Sequence, residues 1–292
     1  MERINYIGDI YRPPSEARSL IIQATVGCSN NTCAFCRMYK AKRFYLRNIA
    51  DVLDDFRIAR NLYPSVRRIF IADGDALIMP MDSWLKILNC IKSLFPECER
   101  ITCYASPVSI LKKTETELKT LYENGLKMVY MGLESGNNEV LKLMGKGSSA
   151  EEMIACADKI HRSGIALSVT AINGLGGIQY SHDHAVDTGK VLSAMKPEYI
   201  GLLTLMLERP APICDMVQKG VITPLSSDEI LAEIKLMLQN CDSEGSVFRA
   251  NHASNYLALG GVLNADTPRL IALIDSALQG KTNLRPEWMR GL

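Results

Sequence analysis

The sequence has no apolar run long enough to cross a bilayer; its longest are short, such as Leu202–Leu207, which Thr204 interrupts. The opening Met1-Glu2-Arg3-Ile4-Asn5 is not followed by the apolar stretch of a secretory signal, so a cytoplasmic protein is expected. Neither sign of charge dominates, with 33 Lys+Arg against 32 Asp+Glu, and bulk charge gives no pull toward nucleic acid or an anionic membrane. No internal repeat, low-complexity segment or obvious linker is present. Nor do the nine cysteines form a disulfide framework: the number is odd, and reduced thiols are expected in a chain without an export signal. Clustered thiols then point to metal or catalysis, and scattered ones to core packing.

The chain has what a soluble globule needs. Of its 292 residues 47% are hydrophobic and 22% charged, so a core of normal size is available without help from a metal. Strand-like and helix-like segments alternate. Apolar strands are expected at Leu20–Thr25, Arg68–Ala72, Ile101–Ala105, Met128–Leu133, Ile165–Ile172 and Tyr199–Leu207. Between them, Asn48 and Asp82 stand as helix caps, and Thr114-x-x-Glu117 and Ser148-x-x-Glu151 as capping boxes. A fifth helix is expected over Asp183–Met195. Six strand–helix units with apolar strands predict a parallel sheet covered by helices. Past Glu208 the rhythm breaks at Arg209-Pro210-Ala211-Pro212. A helix then opens at Ser226-x-x-Glu229, a short segment lies near Val247–Arg249, and a last helix has Thr267 as N-cap and Gly280 after its end.

The densest chemistry is Gly27-Cys28-Ser29-Asn30-Asn31-Thr32-Cys33-Ala34-Phe35-Cys36. Three thiols directly after the first strand of a strand–helix series can hold one iron–sulfur cube, leaving one iron open to a small molecule. A structural zinc site or three chance cysteines are the competing readings. Zinc usually takes two paired knuckles, and only Cys33-x-x-Cys36 is a pair here.

At these residues the sequence resembles the radical S-adenosylmethionine (SAM) superfamily. There, three cysteines follow the first strand of a partial (βα)6 TIM-like barrel, usually as C-x3-C-x2-C with an aromatic before the last. Phe35 takes the aromatic place, and Cys28-x4-Cys33 is one residue longer than usual. The resemblance implies a 4Fe–4S cluster on Cys28, Cys33 and Cys36. It also implies a SAM site from three turns at strand ends: Asp73-Gly74-Asp75, Glu134-Ser135 and Asn173, with Phe35 beside them. The expected division is an N-terminal segment 1–17, a barrel 18–208, and an extension 209–292 packed on it. The implied activity is reductive SAM cleavage to a 5′-deoxyadenosyl radical that abstracts hydrogen from a substrate. That implies an oxygen-sensitive enzyme, a flavodoxin- or ferredoxin-like electron donor and no membrane partner. No catalytic side chain is assigned.

A small-molecule substrate is expected. An RNA or peptide substrate is the alternative, and a zinc-binding or scaffold protein without chemistry is the alternative of another class. No room before residue 17 suits a cobalamin domain, and the C-terminal part has no second cysteine cluster and no obvious RNA-binding module. Asn251, His252 and Tyr256 are candidate substrate contacts, against an ordinary polar turn. Arg37, Lys40, Lys42, Arg43 and Arg47 read either as a steering patch or as a solvated loop. His182 and His184 are expected at the surface, at the start of a helix capped by Asp183.

Overall fold

The computed structural model describes residues 3–291. Along the chain the elements are β1 (Leu20–Gln23), β2 (Thr25–Val26), β3 (Tyr45–Leu46), α1 (Ile49–Leu62), β4 (Arg68–Ala72), α2 (Met81–Leu94) and β5 (Arg100–Ala105). There follow α3 (Pro107–Lys112), α4 (Glu115–Glu123), β6 (Leu126–Glu134), α5 (Asn138–Leu143), α6 (Ala150–Arg162), β7 (Ala166–Asn173), α7 (Gly177–Met195) and β8 (Tyr199–Thr204). The last are α8 (Ile213–Gln218), α9 (Ser227–Gln239), β9 (Val247–Ala250), β10 (Leu259–Val262) and α10 (Thr267–Leu278).

Eight strands form one mostly parallel sheet in the order β1-β4-β5-β6-β7-β8-β9-β10. Its central strands are nearly continuous apolar runs such as Ile69-Phe70-Ile71-Ala72, because helices cover them. The sheet does not stop with the sixth expected strand. Val247–Ala250 pairs parallel with β8, and β10 turns back antiparallel beside it. The short segment expected near Val247–Arg249 is β9, whereas β10 escapes an apolar-run reading because Gly260 and Gly261 interrupt it. Beside the sheet, β2 and β3 make a two-residue antiparallel ladder leading into the cysteine loop. Among the described residues no helix is long and apolar enough to cross a membrane.

Several helix starts follow directly from side-chain chemistry. Asn48 accepts from Ala50 N, and the capping boxes at Thr114 and Ser226 have both halves made. The third box lies one residue later than expected: Ser149 N donates to Glu152, and Glu152 N to Ser149 Oγ at 3.3 Å. The largest displacement is α7, which begins at Gly177, not Asp183. Its N-terminus is the glycine turn itself, with Gly177 N on Gly174 O at 3.1 Å and Ile178 N on Thr223 O at 2.9 Å. Asp183 therefore caps nothing, and the two histidines part company. His182 is exposed, whereas His184 falls on the buried face with Ala185, Thr188, Val191, Leu192 and Met195.

The chain divides into two compact units. The first comprises residues 1–31, 38–131 and 158–167, and the second 32–37, 132–157 and 168–292. In the first, Phe70, Tyr104 and Tyr130 meet edge to face with centroids 5.1–6.2 Å apart. The N-terminal segment is stitched along this unit. Asn5 N donates to Asp55, Ile7 N to Gln23 Oε1 at 2.8 Å, and Ser15 shares a 2.9 Å bond with Tyr130 OH. Buried Glu16 pairs with Arg100 at 2.9 Å. In the second unit, Val140, Met144, Ile172, Leu175, Ala211, Ile213 and Ile222 form one apolar cluster.

Candidate cofactor site

The cysteine loop is shared out between the units, Cys28 to Asn31 in the first and residues 32–37 in the second. Cys33 is buried, and Cys28 and Cys36 are half-buried. In the first unit, Gly74 N donates to Gly27 O at 3.1 Å. A Cβ on Gly74 would stand 2.9 Å from Cys28 Cβ and 2.6 Å from the Tyr39 ring, so a side chain there would displace the cysteine. The segment between Cys28 and Cys33, which carries the extra residue, is pinned down. Asn31 Nδ2 donates to Tyr39 O at 2.6 Å and Lys42 O at 3.2 Å, and Lys40 Nζ to Asn31 O at 2.7 Å.

The Asp73-Gly74-Asp75 turn after β4 splits into two roles. Buried Asp73 puts one oxygen, Oδ2, against Lys42 Nζ at 2.9 Å, Gln23 Nε2 at 3.1 Å and Gly27 N at 3.2 Å. Its other oxygen, Oδ1, is buried with no hydrogen-bond partner. An unmet acceptor of that kind costs about 1–3 kcal/mol, which a ligand donor would recover. Asp75 is fully engaged: Oδ1 accepts from Ser106 N at 3.0 Å, and Oδ2 from Ser106 Oγ at 2.7 Å and from Ser29 Oγ. Burial pushes its pKa up, and the serine hydrogen bonds oppose that. Asp75 thus ties the cysteine loop to the end of β5. Burial lowers the pKa of nearby Lys113, whose Nζ donates to Met79 O at 2.8 Å.

The expected basic patch is neither a steering surface nor a solvated loop. Lys42 and Arg47 are buried in ion pairs with Asp73 and Asp55, Arg37 pairs with Glu208 at 2.7 Å, and Lys40 holds Asn31. Arg43 remains exposed. The charges were legible from sequence; their carboxylate partners, up to 171 positions away in the case of Glu208, were not.

In the second unit the loop is sewn in on both sides. Ala34 N donates to Met144 O at 2.8 Å, Ile213 N to Ala34 O at 2.9 Å, and Thr32 Oγ1 to Gly145 O at 2.7 Å. Phe35 packs on the apolar cluster that includes Val140, Met144 and Leu175. After β6, Glu134 takes a left-handed backbone (φ 64°) and pairs with Lys146 Nζ at 2.9 Å. Both of those side chains are about nine-tenths buried. Ser135 Oγ lies 2.8 Å from His184 Nδ1 and accepts from Asn137 N at 3.0 Å. After β7, Asn173 is buried, and its Nδ2 has no hydrogen-bond partner. The neighbouring Gly174 N donates to Glu233 Oε1 at 2.6 Å. Lys146, His184 and Glu233 were missed from sequence. For His184 the available signal was the apolar helical period that places it on the inward face of α7 once that helix starts at its glycine turn.

The loop between β9 and β10 carries the three candidate substrate contacts. Asn251 is exposed, and His252 Nδ1 accepts from Ser254 N at 3.1 Å. Burial, with the Arg285 charge adding to it, lowers the His252 pKa. Tyr256 OH donates to Glu287 at 2.7 Å and accepts from Arg290 at 2.6 Å, with the guanidinium 4.1 Å from the ring centroid. Its pKa is pushed up to about 12, by burial first and then by Glu287. Arg285 Nη1 reaches the carbonyls of His252, Ala253 and Asn255, and Arg290 those of Ser254 and Leu205.

Among the described residues no three His, Cys, Asp or Glu side chains stand in metal-binding geometry. The fit of an iron–sulfur cluster and SAM is therefore judged on the donors present. Three thiols in nine residues suit iron–sulfur. In the first unit the buried open acceptor Asp73 Oδ1 suits a ligand ammonium, and in the second the buried open donor Asn173 Nδ2 suits a ligand acceptor. The residues fit.

A family model of the radical SAM superfamily matches residues 22–189, and the chain belongs to that superfamily. It is an enzyme of the class, whose cofactors are a 4Fe–4S cluster and SAM. Among solved structures, it is similar to the radical SAM methyltransferase TsrM from Kitasatospora setae, bound to tryptophan and a SAM analogue. There the TM-score is 0.57 at 17% identity, covering 70% of this chain and 40% of that one. Methylornithine synthase (PylB) matches with a TM-score of 0.53 at 13% identity, over 92% of this chain and 74% of that one. Coproporphyrinogen III oxidase (HemN) from Escherichia coli matches at 0.51 and 14%, over 84% and 66%. At these identities the likeness is one of fold. The chain spans about two-fifths of the length of the methyltransferase. No curated protein matches the sequence.

Proposed function

We propose that the protein cleaves SAM reductively at a 4Fe–4S cluster held by Cys28, Cys33 and Cys36, and acts on a small molecule. The observation that carries this reading is the three-thiol loop at the head of the matched superfamily region, with Cys28 packed against the Asp73-Gly74-Asp75 turn. When bound, the cluster would supply the electron for reductive cleavage of SAM into methionine and a 5′-deoxyadenosyl radical able to abstract hydrogen from substrate.

The chain's own residues orient and shelter that chemistry. In the first unit, Asp73 Oδ1 offers an acceptor to a ligand ammonium, Gly74 lets the ligand approach the backbone, and Asp75 fixes the turn through Ser29 and Ser106. In the second, Asn173 Nδ2 offers a donor, Glu134 is held by Lys146, and Ser135 steadies the turn after β6. Phe35 closes the apolar side. Asn251 and His252 would meet the substrate, while Tyr256 belongs to the clamp that shapes their loop. The tryptophan held by the related methyltransferase supports a small-molecule substrate. A flavodoxin- or ferredoxin-like protein would deliver the electron. The reading keeps a barrel of residues 18–208 between an N-terminal segment 1–17 and an extension 209–292.

The test is anaerobic purification with iron and sulfide analysis of wild type and Cys28→Ala, followed by reduction and an assay for 5′-deoxyadenosine. Four irons per chain and SAM cleavage in wild type, both lost in the variant, are expected. A colourless zinc protein that cleaves no SAM after iron reconstitution would overturn the reading.

A further inference from the structure

Behind the turns that follow β6 and β7 lies a buried polar relay with no role in holding the cluster. Ser135 Oγ stands 2.8 Å from His184 Nδ1, and His184 Nε2 stands 3.7 Å from Glu233 Oε1. The same Glu233 oxygen accepts from Gly174 N at 2.6 Å, and its partner oxygen accepts from Ser181 Oγ at 2.5 Å. All three relay side chains are at most 3% exposed. One carboxylate from α9 and one imidazole from α7 therefore fix the backbone beside Asn173 and the hydroxyl beside Glu134. The packing leaves them little freedom: a Cβ on Gly136 would stand 2.4 Å from Asp187 O, so the turn after β6 lies directly on α7.

We propose that His184 and Glu233 are a positioning pair that sets the two turns for SAM binding, with neutral His184 as the competent form. The inference rests on the functional reading above. The hydrogen-bond count gives the tautomer. With Nδ1 facing Ser135, the ring donates to the Ile172 backbone from its other nitrogen, so in the neutral ring Nδ1 accepts the Ser135 proton. His184 then carries its proton on Nε2, where a backbone hydrogen bond to Ile172 is available. Burial favours this neutral state, and the charges that oppose it are Glu233 from α9 and Asp187 from its own helix. The β6 turn presents Ser135, and β7 presents the Ile172 backbone; neither adds charge. Protonating Nδ1 turns it from acceptor to donor, so the serine hydroxyl must swing its proton elsewhere and the turn loses its fixed polarity. Protons have a way in, because a cleft of about 320 Å³ between α7 and α9 reaches Ser181 and Glu233.

The experiment measures the SAM dissociation constant of anaerobically reconstituted holoenzyme by equilibrium dialysis, from about pH 7.5 to about pH 5.5. The proteins are wild type, His184→Gln, Glu233→Gln and the minimal Ser135→Ala, each with its iron content and melting temperature. Wild type is expected to bind more weakly as the pH falls. Ser135→Ala and His184→Gln should bind about tenfold more weakly at the upper pH, with flat pH profiles and wild-type iron content. Glu233→Gln should move the onset of the loss to lower pH, because the carboxylate that stabilises imidazolium is gone. Variants that keep the wild-type affinity and pH profile would overturn the pair's role while leaving the enzyme class intact. A wild-type protein that holds iron and binds no SAM would sink both.

Discussion

Two turns each carry a buried open atom, and they are held in opposite ways. The turn after β4 is anchored by charge from close at hand: Asp73 is gripped by Lys42, Gln23 and Gly27, all within 50 positions of it. The turn after β7 is anchored from afar, by Glu233 of α9 on Gly174 N, with His184 relaying to the turn after β6. The first grip contains a buried lysine–carboxylate pair; the second is a set of hydrogen bonds around a neutral imidazole. A charged grip is rigid and unforgiving, because removing one partner leaves the other charge buried. A relay tolerates change better but responds to protons. The comparison teaches that one fold can fix one turn by a buried charge pair and another by a relay that answers to protons.

The comparison breaks most visibly at Asp73. Asp73→Asn keeps the shape and strands the Lys42 ammonium, so a loss of about 3 kcal/mol in denaturant-measured stability is expected. If urea unfolding of this variant matched wild type, the charged grip would carry no weight. Glu233→Gln should cost less, about 1–2 kcal/mol, since an amide oxygen can still accept from Gly174 N. Parity between the two losses would erase the contrast drawn above.

Acid sharpens it further. Folding holds the pKa of His184 below its ordinary value, so between about pH 6.5 and that lowered value the unfolded chain binds the proton and the native one does not. Stability is therefore expected to fall as pH falls through this window and to level off below it. The His184→Gln melting curve should show a shallower fall, the remainder belonging to His252, whose pKa is shifted the same way. Identical slopes in calorimetry would remove His184 as the responsive element. The smallest effect is expected at Tyr256→Phe, which gives up the hydroxyl bonds to Glu287 and Arg290 for about 1 kcal/mol and keeps the stacked guanidinium.

What could be read from sequence follows the same division. The cysteine loop and the Asp73 turn are compact local patterns, and the caps at Asn48, Thr114 and Ser226 have their partners within three positions. The strand series was legible for the same reason, as apolar runs between caps. The start of α7 was misplaced because its cap is a glycine turn with no side chain to recognise, and that single error turned His184 outward. Strand β10 was lost to Gly260 and Gly261. Glu233 looked like an ordinary helix glutamate; its meaning comes from Gly174, 59 positions earlier, and only the packing of α9 on α7 supplies it.

The clamp on the β9–β10 loop has a consequence for how the chain is made. Arg285 and Arg290 between them grip the carbonyls of residues 252 to 255, and both follow that loop by some thirty positions. On the ribosome the loop emerges while its clamp is still unsynthesised, so the sheet can assemble before this loop has its shape. The β9–β10 loop is thus finished late: its backbone is synthesised well before the two arginines that hold its carbonyls.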